Sequence, residues 1–340
     1  MKPPRIRKLI WLELGVLSGS FLLSLVVCEL AVRWFGTVRN VGPAFSRYDP
    51  VYGVRLKPSF HCRRITPEFS MRFTTNAFGF RGPEPQEFPT GAVVFLGDSF
   101  TMGHGVNDGE EYPQLVAQCL ERNYDLKDIP IVNASVGNTG NGRWIKFLEH
   151  EAARFQPRAV VMQVSGNDLG DNLREGLFRL TGKNELQEMP VPPAGRWHYA
   201  QVAIETVPGV TYLHLVGLLR QAATLSRSQA PGNTVVATTG AEQESAGYPL
   251  TTALVERAIK ICVDRKWPAL LIVVDLDDDK AATLRRACES TDTQLIMVPQ
   301  KPTRPEFYYR VDGHWNATGH EYVAGQVAAE LAPLLVQRPG

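Results

Sequence analysis

The chain has 340 residues, enough for one large domain or two small ones, and 44% of them are apolar. Its formal net charge of +1 produces no bulk electrostatic field, which argues against nucleic acid as a partner. The charged fraction of 21% is ordinary for a globular protein.

The amino-terminal end of the chain predicts a membrane anchor. Residues 1–8 form a basic leader that contains Lys2, Arg5, Arg7 and Lys8. Residues 9–35 are mostly apolar, and they reach the roughly 20 residues that span a bilayer if Glu13 and Glu29 lie near the interfaces. Because positive charge is concentrated before the span, the amino terminus is predicted in the cytoplasm and the main domain in the periplasm or outside the cell.

A cleaved signal peptide and a buried core helix are the alternatives to this anchor. No Ala-x-Ala site follows the apolar core, and the residue before Cys28 is not the small one expected before a lipidated cysteine. The basic leader fits a core helix poorly. We therefore expect an uncleaved, single-pass anchor.

Residues 36–90 are predicted to form loops and short strands that hold the main domain away from the membrane. This region is rich in proline, glycine, arginine and aromatic residues, and Phe69–Phe73 alternates between apolar and polar side chains. Residues 76–82 have the composition of a structured turn.

From residue 91 to residue 337 the pattern alternates between strand and helix. The predicted strands are Val93–Leu96, Ile129–Asn133, Ala159–Val164, Ala269–Asp275 and Gln294–Val298. The predicted helices are Tyr112–Arg122, Gly142–Phe155, Thr252–Asp264, Asp278–Ser290 and Ala317–Leu335. Continuous apolar strands in such alternation indicate a parallel sheet covered on both faces, which is a doubly wound α/β sandwich. Residues 169–249 interrupt the alternation and form either a wall or lid of the site or a surface excursion.

Ser99 follows the first of these strands in Gly97-Asp98-Ser99. A serine at the carboxyl end of a strand lies in the crevice where open α/β folds place their sites, and the turn offers backbone N–H groups to a substrate oxygen. A turn or helix-cap serine is the alternative, since aspartate and serine both favour turns.

Two further segments at strand ends offer hydrogen-bond donors. Gly137 and Asn138 lie in a glycine-rich stretch after the second strand, where a backbone N–H could point at a substrate oxygen. Asn167 follows the third strand and could donate its side-chain amide to the same oxygen. Taken singly, each segment is better explained as an ordinary strand-to-helix connection or an Asn-Asp turn.

Asp312-Gly313-His314 precedes the last predicted helix. An aspartate and a histidine two positions apart in an extended segment can face the same way. A carboxylate bonded to Nδ1 then leaves Nε2 facing a serine, which it can deprotonate. The alternative is a glycine turn with Asn316 capping the helix.

In chain order, these segments resemble the blocks of the SGNH/GDSL hydrolase family. The first block is Gly97–Thr101, the third is Gly166–Asp168, and the last is Asp312–His314 followed by Trp315 and Asn316. The resemblance covers Val93 to the carboxyl terminus without the insertion. It implies a flavodoxin-like three-layer α/β/α sandwich with a mostly parallel sheet. It also implies cleavage of esters or thioesters or transfer of acyl groups, without a metal or an organic cofactor.

The resemblance also implies a role for each matching residue. Ser99 is the nucleophile and His314 is the general base, oriented by Asp312. The oxyanion donors are the Ser99 amide, a backbone amide at Gly137, and the Asn167 side chain.

Two departures from the family pattern leave alternatives open. The family usually separates the late aspartate and histidine by two residues, whereas only Gly313 intervenes here. This shorter form resembles the alginate O-acetyltransferase-like branch and leaves hydrolysis and acyl transfer both open. The second block is irregular, so Asn138 is an alternative to Gly137.

We therefore expect a membrane-anchored serine esterase that acts on an acyl ester, above all an acetyl ester. Its partners would be the membrane, through the amino-terminal helix, and a small acyl ester or acylated glycan as substrate. An O-acetyltransferase for an exported polysaccharide is the first alternative. A non-catalytic scaffold of the cell envelope that keeps the fold is the second.

Overall fold

The computed structural model describes residues 4–36, 38, 40–182, 185–228 and 240–336. Its strands are β1 (Ser46–Asp49), β2 (Gly53–Leu56), β3 (His61–Ile65), β4 (Ser70–Thr74), β5 (Val93–Leu96), β6 (Ile131–Asn133), β7 (Ala159–Ser165), β8 (Phe178–Leu180), β9 (Leu186–Glu188), β10 (Ala269–Val274) and β11 (Gln294–Met297). Its α-helices are α1 (Pro4–Phe35), α2 (Ser99–Met102), α3 (Tyr112–Tyr124), α4 (Gly142–His150), α5 (Asp168–Glu175), α6 (Arg196–Glu205), α7 (His214–Ser228), α8 (Gly240–Asp264), α9 (Asp278–Glu289) and α10 (Ala317–Val336).

Helix α1 is long and apolar enough to cross a membrane. Its stretch Leu9–Phe35 has 27 residues, and large apolar side chains such as Leu17 and Phe21 are exposed along it. At about 1.5 Å per residue, this stretch is longer than the roughly 30 Å hydrocarbon core of a bilayer. Length and composition are therefore compatible with the predicted span.

The central sheet has five parallel strands in the spatial order β11-β10-β7-β5-β6. Numbered along the chain within this sheet, the order is 2-1-3-4-5, which is the flavodoxin-like arrangement. The order reverses between β5 and β7, so a crevice opens there beyond the carboxyl ends of the strands. The predicted α/β sandwich with a mostly parallel sheet is confirmed.

Helices cover both faces of this sheet. On one face Val94 and Leu96 pack into a core with α4, α8 and α9, and on the other Val93 and Phe95 pack with α3 and α10. Successive side chains of a strand point to opposite faces, so a strand buried on both sides must be apolar at every position. This explains the continuous apolar runs.

Several boundaries differ from the sequence prediction. The predicted helix Gly142–Phe155 ends at His150, and a 3₁₀ turn follows at Ala152–Phe155. Helix α8 begins twelve positions before the predicted Thr252 and contains Pro249. A proline inside a helix removes one backbone hydrogen bond, and burial of Leu250 and Leu254 against the sheet offsets that loss.

The regions outside the central sheet contain short strands and further helices. The hairpins β1–β2 and β3–β4 are antiparallel and lie in residues 36–90. The insertion 169–249 contains most of α5, the hairpin β8–β9, helices α6 and α7, and the start of α8. Residues 1–3 of the predicted leader, residues 183–184 and 229–239 of the insertion, and residue 337 lie outside the described residues.

Candidate active site

The turn after β5 fixes the position of Ser99. Gly97 has no room for a side chain, because a Cβ there would lie 2.2 Å from Thr101 Oγ1 and 2.8 Å from Gln163 Oε1. The carboxylate of Asp98 accepts a hydrogen bond of 2.8 Å from the Phe100 amide and caps α2. Ser99 therefore begins a single helical turn at the carboxyl end of β5.

The three residues predicted to form a catalytic triad lie together. Ser99 Oγ is 2.7 Å from His314 Nε2, and His314 Nδ1 is 2.5 Å from Asp312 Oδ1. The imidazole thus bridges a hydroxyl and a carboxylate through its two ring nitrogens. This is the arrangement in which a histidine can take a proton from a serine while a carboxylate holds its tautomer.

The loop that carries Asp312 and His314 has an unusual backbone. Gly313 has φ of +88°, a conformation that favours glycine, and this turn brings two side chains separated by one residue to the same side. After His314, Asn316 Oδ1 accepts a hydrogen bond of 3.1 Å from the Gly319 amide and caps α10. Asn316 therefore caps the helix, as the alternative interpretation proposed, and the same segment also supplies the contacts of His314.

Glu68, in the turn between β3 and β4, binds the backbone of this loop. Its carboxylate accepts hydrogen bonds from the backbone amides of Val311 (2.9 Å) and Asp312 (2.7 Å). Sequence reasoning missed Glu68, which lies 244 residues away from Asp312 along the chain. No local pattern marks such a contact.

His104 is a second imidazole beside the triad. Its ring centroid is 4.7 Å from that of His314, and its Nε2 is 3.7 Å from Asp312 Oδ2. Burial lowers the pKa of His104, so its ring is kept neutral. Burial alone would raise the pKa of Asp312, but its hydrogen bonds to His104 and His314 and the charge of His314 hold it well below its usual range.

His104 was also missed by the sequence reasoning. The signal that could have found it is its position, five residues after Ser99 in the same loop. Donor atoms of His104, Asp312 and His314 lie within 4.8 Å of one another, which is close enough for a divalent cation. Two of these three residues also form the hydrogen-bonded relay with Ser99.

The predicted oxyanion donors all lie around Ser99. In the described part of the chain, no backbone carbonyl accepts a hydrogen bond from the Ser99 amide. The Gly137 amide points at Met102 Sδ at 3.3 Å, and sulfur is a weak acceptor. Asn167 Nδ2 donates to Asp98 Oδ2 and Asp171 Oδ2, both at 3.1 Å. An oxyanion would have to replace one of these carboxylates as the acceptor from Asn167.

Asn138, the alternative to Gly137, is exposed and has φ of +62°. Its carbonyl accepts a hydrogen bond of 2.9 Å from Arg174 Nη2. Both Gly137 and Asn138 line the cleft described below.

A buried acidic network lies beneath these donors. Ser165 Oγ is 2.6 Å from Asp98 Oδ2 and 2.7 Å from Asn167 Oδ1, and the Ser165 amide donates to Asp168 Oδ2 at 2.8 Å. Burial raises the pKa of Asp98 despite these hydrogen bonds. Burial and the charge of Asp98 raise the pKa of Asp168 well above its usual range. The pair therefore retains a proton at pH values where an exposed aspartate is fully ionised.

A cleft of about 740 Å³ opens over Ser99. This volume lies within the roughly 300–1,000 Å³ that is usual for small-molecule sites. Its lining residues outside the triad and the donors include Asn40, Phe45, Leu56, Arg64, Met102, Val136, Asp171 and Asp275. The region 36–90 thus supplies part of the cleft wall.

Comparison with protein families gives one match over most of the chain. The model of the GDSL-like lipase/acylhydrolase family matches residues 95–322. This range contains Ser99, Asp312 and His314 and the intervening insertion. No curated protein matches the chain.

Solved structures give distant likenesses. The psychrotrophic esterase EstA from Pseudoalteromonas sp., inhibited by monoethylphosphonate, is 11% identical; the match covers 73% of this chain and 100% of that chain, with a TM-score of 0.42. The acetyl xylan esterase AlAXEase is 14% identical; the match covers 71% of this chain and 99% of that chain, also with a TM-score of 0.42. Likeness at this level does not extend to a substrate.

Proposed function

The chain belongs to the GDSL-like lipase/acylhydrolase family and is an ester-hydrolysing enzyme of that type, and from this premise we propose a membrane-anchored serine esterase that removes short acyl groups. The observation that carries the proposal is the pair of contacts at His314. Its Nε2 is 2.7 Å from Ser99 Oγ, and its Nδ1 is 2.5 Å from Asp312 Oδ1. Acetyl is the acyl group that we favour.

The reaction proceeds through an acyl-enzyme. Ser99 Oγ attacks the ester carbonyl while His314 Nε2 takes the serine proton. The tetrahedral intermediate collapses, His314 returns the proton to the departing alcohol, and the acyl group stays on Ser99. Water then attacks this ester while His314 takes a proton from it; the second intermediate collapses, His314 returns the proton to Ser99 Oγ, and the acid is released. Asp312 stays ionised and stabilises the imidazolium.

Three N–H groups stabilise the oxyanion. The Ser99 amide and the Gly137 amide donate from the backbone, and Asn167 Nδ2 donates from its side chain by giving up its bond to Asp171. Because these donors are held in place before the reaction, they can stabilise the developing negative charge with little reorganisation. The network of Asp98 and Ser165 holds Asn167 in place, because Asp98 Oδ2 accepts from both side chains.

The cleft supports a small acyl group on a hydroxyl-rich alcohol. Met102, Val136 and Leu56 line it and belong to one packed apolar cluster, which offers an apolar wall to the acyl group. Asp171 and Asp275 line the same cleft and can accept hydrogen bonds from hydroxyl groups. An acetylated glycan combines both features.

The anchor and the orientation of the chain are part of the proposal. Residues 1–8 form the cytoplasmic leader, residues 9–35 the span, and residues 36–90 the connecting region. Residues 91–337 form the catalytic domain on the outer side. The length and apolar composition of α1 support the span, and the basic leader supports the orientation.

Hydrolysis of p-nitrophenyl acetate by the purified full chain tests the mechanism. Ser99→Ala should abolish turnover, because no other hydroxyl lies at His314 Nε2 among the described hydrogen bonds. Ser290→Ala is the matched control, since Ser290 is an exposed serine at the end of α9. Undiminished turnover by folded Ser99→Ala would overturn the proposal.

An O-acetyltransferase is the second candidate function. It is favoured by the single residue between Asp312 and His314 and by a cleft wide enough for a second hydroxyl compound. In that reaction a sugar hydroxyl replaces water as the group that attacks the acyl-enzyme. Mass spectrometry of a glycan incubated with the enzyme and an acetyl donor distinguishes the two, because acetylated glycan appears only with the transferase.

A further inference from the structure

Residues 199–222, which cover most of α6 and the first part of α7, present an exposed surface without a charged side chain. Between residues 199 and 222 the exposed residues are Tyr199, Val202, Ala203, Thr206, Val207, Pro208, Gly209, Leu213, Leu219 and Ala222. None of them is ionisable except the Tyr199 phenol. Tyr199 and Leu219 are 65% and 62% exposed. We call these ten residues the apolar ledge.

Helix α9 of the same domain does not share this property. Its exposed residues are Asp278, Asp279, Arg285, Arg286 and Glu289. A surface that faces water normally carries roughly 25–35% charged residues of both signs. The apolar ledge therefore differs from a solvated face of the same protein.

The charged residues of the ledge segment turn inward. Glu205 Oε2 lies 2.5 Å from Lys57 Nζ, and its Oε1 accepts a hydrogen bond from the Ala44 amide. Arg220 Nη1 donates to the Gly42 carbonyl at 2.8 Å. The segment is thus fixed to the connecting region by its polar side chains, and its uncharged side chains are left outside.

The ledge is joined directly to the proposed anchor. The carboxylate of Glu29 in α1 accepts hydrogen bonds from the backbone amides of His214 (2.9 Å) and Leu215 (2.8 Å). These two amides are at the amino terminus of α7, where backbone donors have no partner within the helix. Glu29 therefore caps α7 and fixes its height along α1.

Glu29 also lies near the outer end of the proposed span. Residues 9–28 precede it, and 20 residues of helix extend about 30 Å, which matches the hydrocarbon thickness of a bilayer. With the basic leader on the cytoplasmic side, Glu29 lies at the outer interface. The start of α7 then lies at the same height.

We propose that the apolar ledge lies on the outer surface of the bilayer that α1 crosses, with Tyr199, Val207 and Leu219 in contact with lipid. This inference rests on the anchor in the proposed function. Tyrosine and aliphatic side chains without neighbouring charge are the composition expected at a lipid interface. The ledge acts as a second contact that stops the domain from swinging freely on its anchor.

The contact has a consequence for the substrate. Asn40 lines the cleft and is five residues beyond Phe35, the end of α1. Phe35 is six helical residues, about 9 Å, beyond Glu29, and five extended residues add at most about 17 Å. A ledge seated on lipid therefore keeps one edge of the cleft within about 26 Å of the membrane surface, where it meets acyl esters carried by the membrane or lying against it.

Photocrosslinking of the full chain in phospholipid nanodiscs tests the contact. p-Benzoylphenylalanine is placed at Tyr199 or Leu219 in the ledge, at Leu22 in α1, or at Val263 on α8. Leu22 and Val263 are 61% and 46% exposed, and Val263 is the matched apolar position away from the ledge. Mass spectrometry then measures phospholipid adducts in variants that keep wild-type activity on p-nitrophenyl acetate.

The proposal predicts lipid adducts at residues 22, 199 and 219, each at least tenfold above the yield at residue 263. If lipid adducts form at residue 22 but their yield at residues 199 and 219 is no higher than at residue 263, the ledge contact is overturned and the anchor is left intact. Crosslinks between two copies of the chain at residues 199 and 219, in place of lipid adducts, would overturn it as well. Absence of lipid adducts at residue 22 would overturn the anchor, and the ledge contact with it.

Discussion

Glu68 provides a test of how the acidic member of the relay is held. Its carboxylate accepts the backbone amides of Val311 and Asp312 at 2.9 Å and 2.7 Å, and it does not line the cleft. Glu68→Ala removes both bonds without touching substrate. The loop with Gly313 at φ +88° then loses its support from the β3–β4 turn.

The size of the effect follows from these two bonds. A hydrogen bond to a charged group contributes about 1.5–3 kcal/mol when it is shielded from water. Glu68 is half-buried, so we take about 1 kcal/mol for each bond and about 2 kcal/mol for the pair. Since each 1.4 kcal/mol corresponds to a factor of about ten, kcat should fall roughly ten- to thirty-fold. KM should change little because Glu68 lies outside the cleft.

Steady-state hydrolysis of p-nitrophenyl acetate measures this effect. Glu68→Gln keeps one acceptor oxygen without the charge, so its kcat should lie between those of the wild type and Glu68→Ala. Glu84→Ala is the matched control, because Glu84 also accepts a backbone amide, that of Ala77 at 2.8 Å, but away from the site. A kcat for Glu68→Ala within twofold of the wild type would refute the positioning argument.

Three further predictions concern the oxyanion, a buried ion pair and pH. Asn167→Ala should lower kcat about a hundredfold, the usual loss for one oxyanion donor. A hundredfold rise in KM with unchanged kcat would contradict this role. Arg81→Met strands the buried Glu111 carboxylate, 3.7 Å away, and should lower the free energy of unfolding by about 3–5 kcal/mol in urea titrations; adding Glu111→Gln should restore part of it. Burial lowers the pKa of His320 to about 3, so the unfolded chain alone binds this proton between pH 6.5 and 3. The free energy of unfolding should decrease as the pH is lowered through that window, and it should decrease less steeply for His320→Asn. Equal slopes for the two proteins would contradict the assignment.

Much of the fold could be predicted because its cause is local. Strand β5 is recognisable as a short run of apolar residues, and both of its faces are covered by helices. Gly97 leaves room for the side chain of Thr101 four positions later, and Asn316 caps the helix that directly follows it. Such features depend on neighbours within a few positions, so a single sequence contains the information.

The structure of the insertion and the residues that position the site could not be predicted, because they depend on contacts between residues far apart in the sequence. Helix α8 begins before Pro249 because packing outweighs the usual effect of proline. Glu68 and His104 reach Asp312 only when distant loops fold together. The network of Asp98, Ser165 and Asp168 joins two motifs that each have the composition of an ordinary turn. In all of these, tertiary contacts decide the outcome.

The roles of Ser99, His314 and Asp312 are tested most directly by covalent labelling with a fluorophosphonate. The reagent is attacked by an activated serine and stays on its oxygen, so peptide mass spectrometry identifies the nucleophile. The account predicts one adduct, on Ser99, at a rate that falls strongly in His314→Ala. An adduct on another residue, or equal labelling of folded Ser99→Ala, would contradict it.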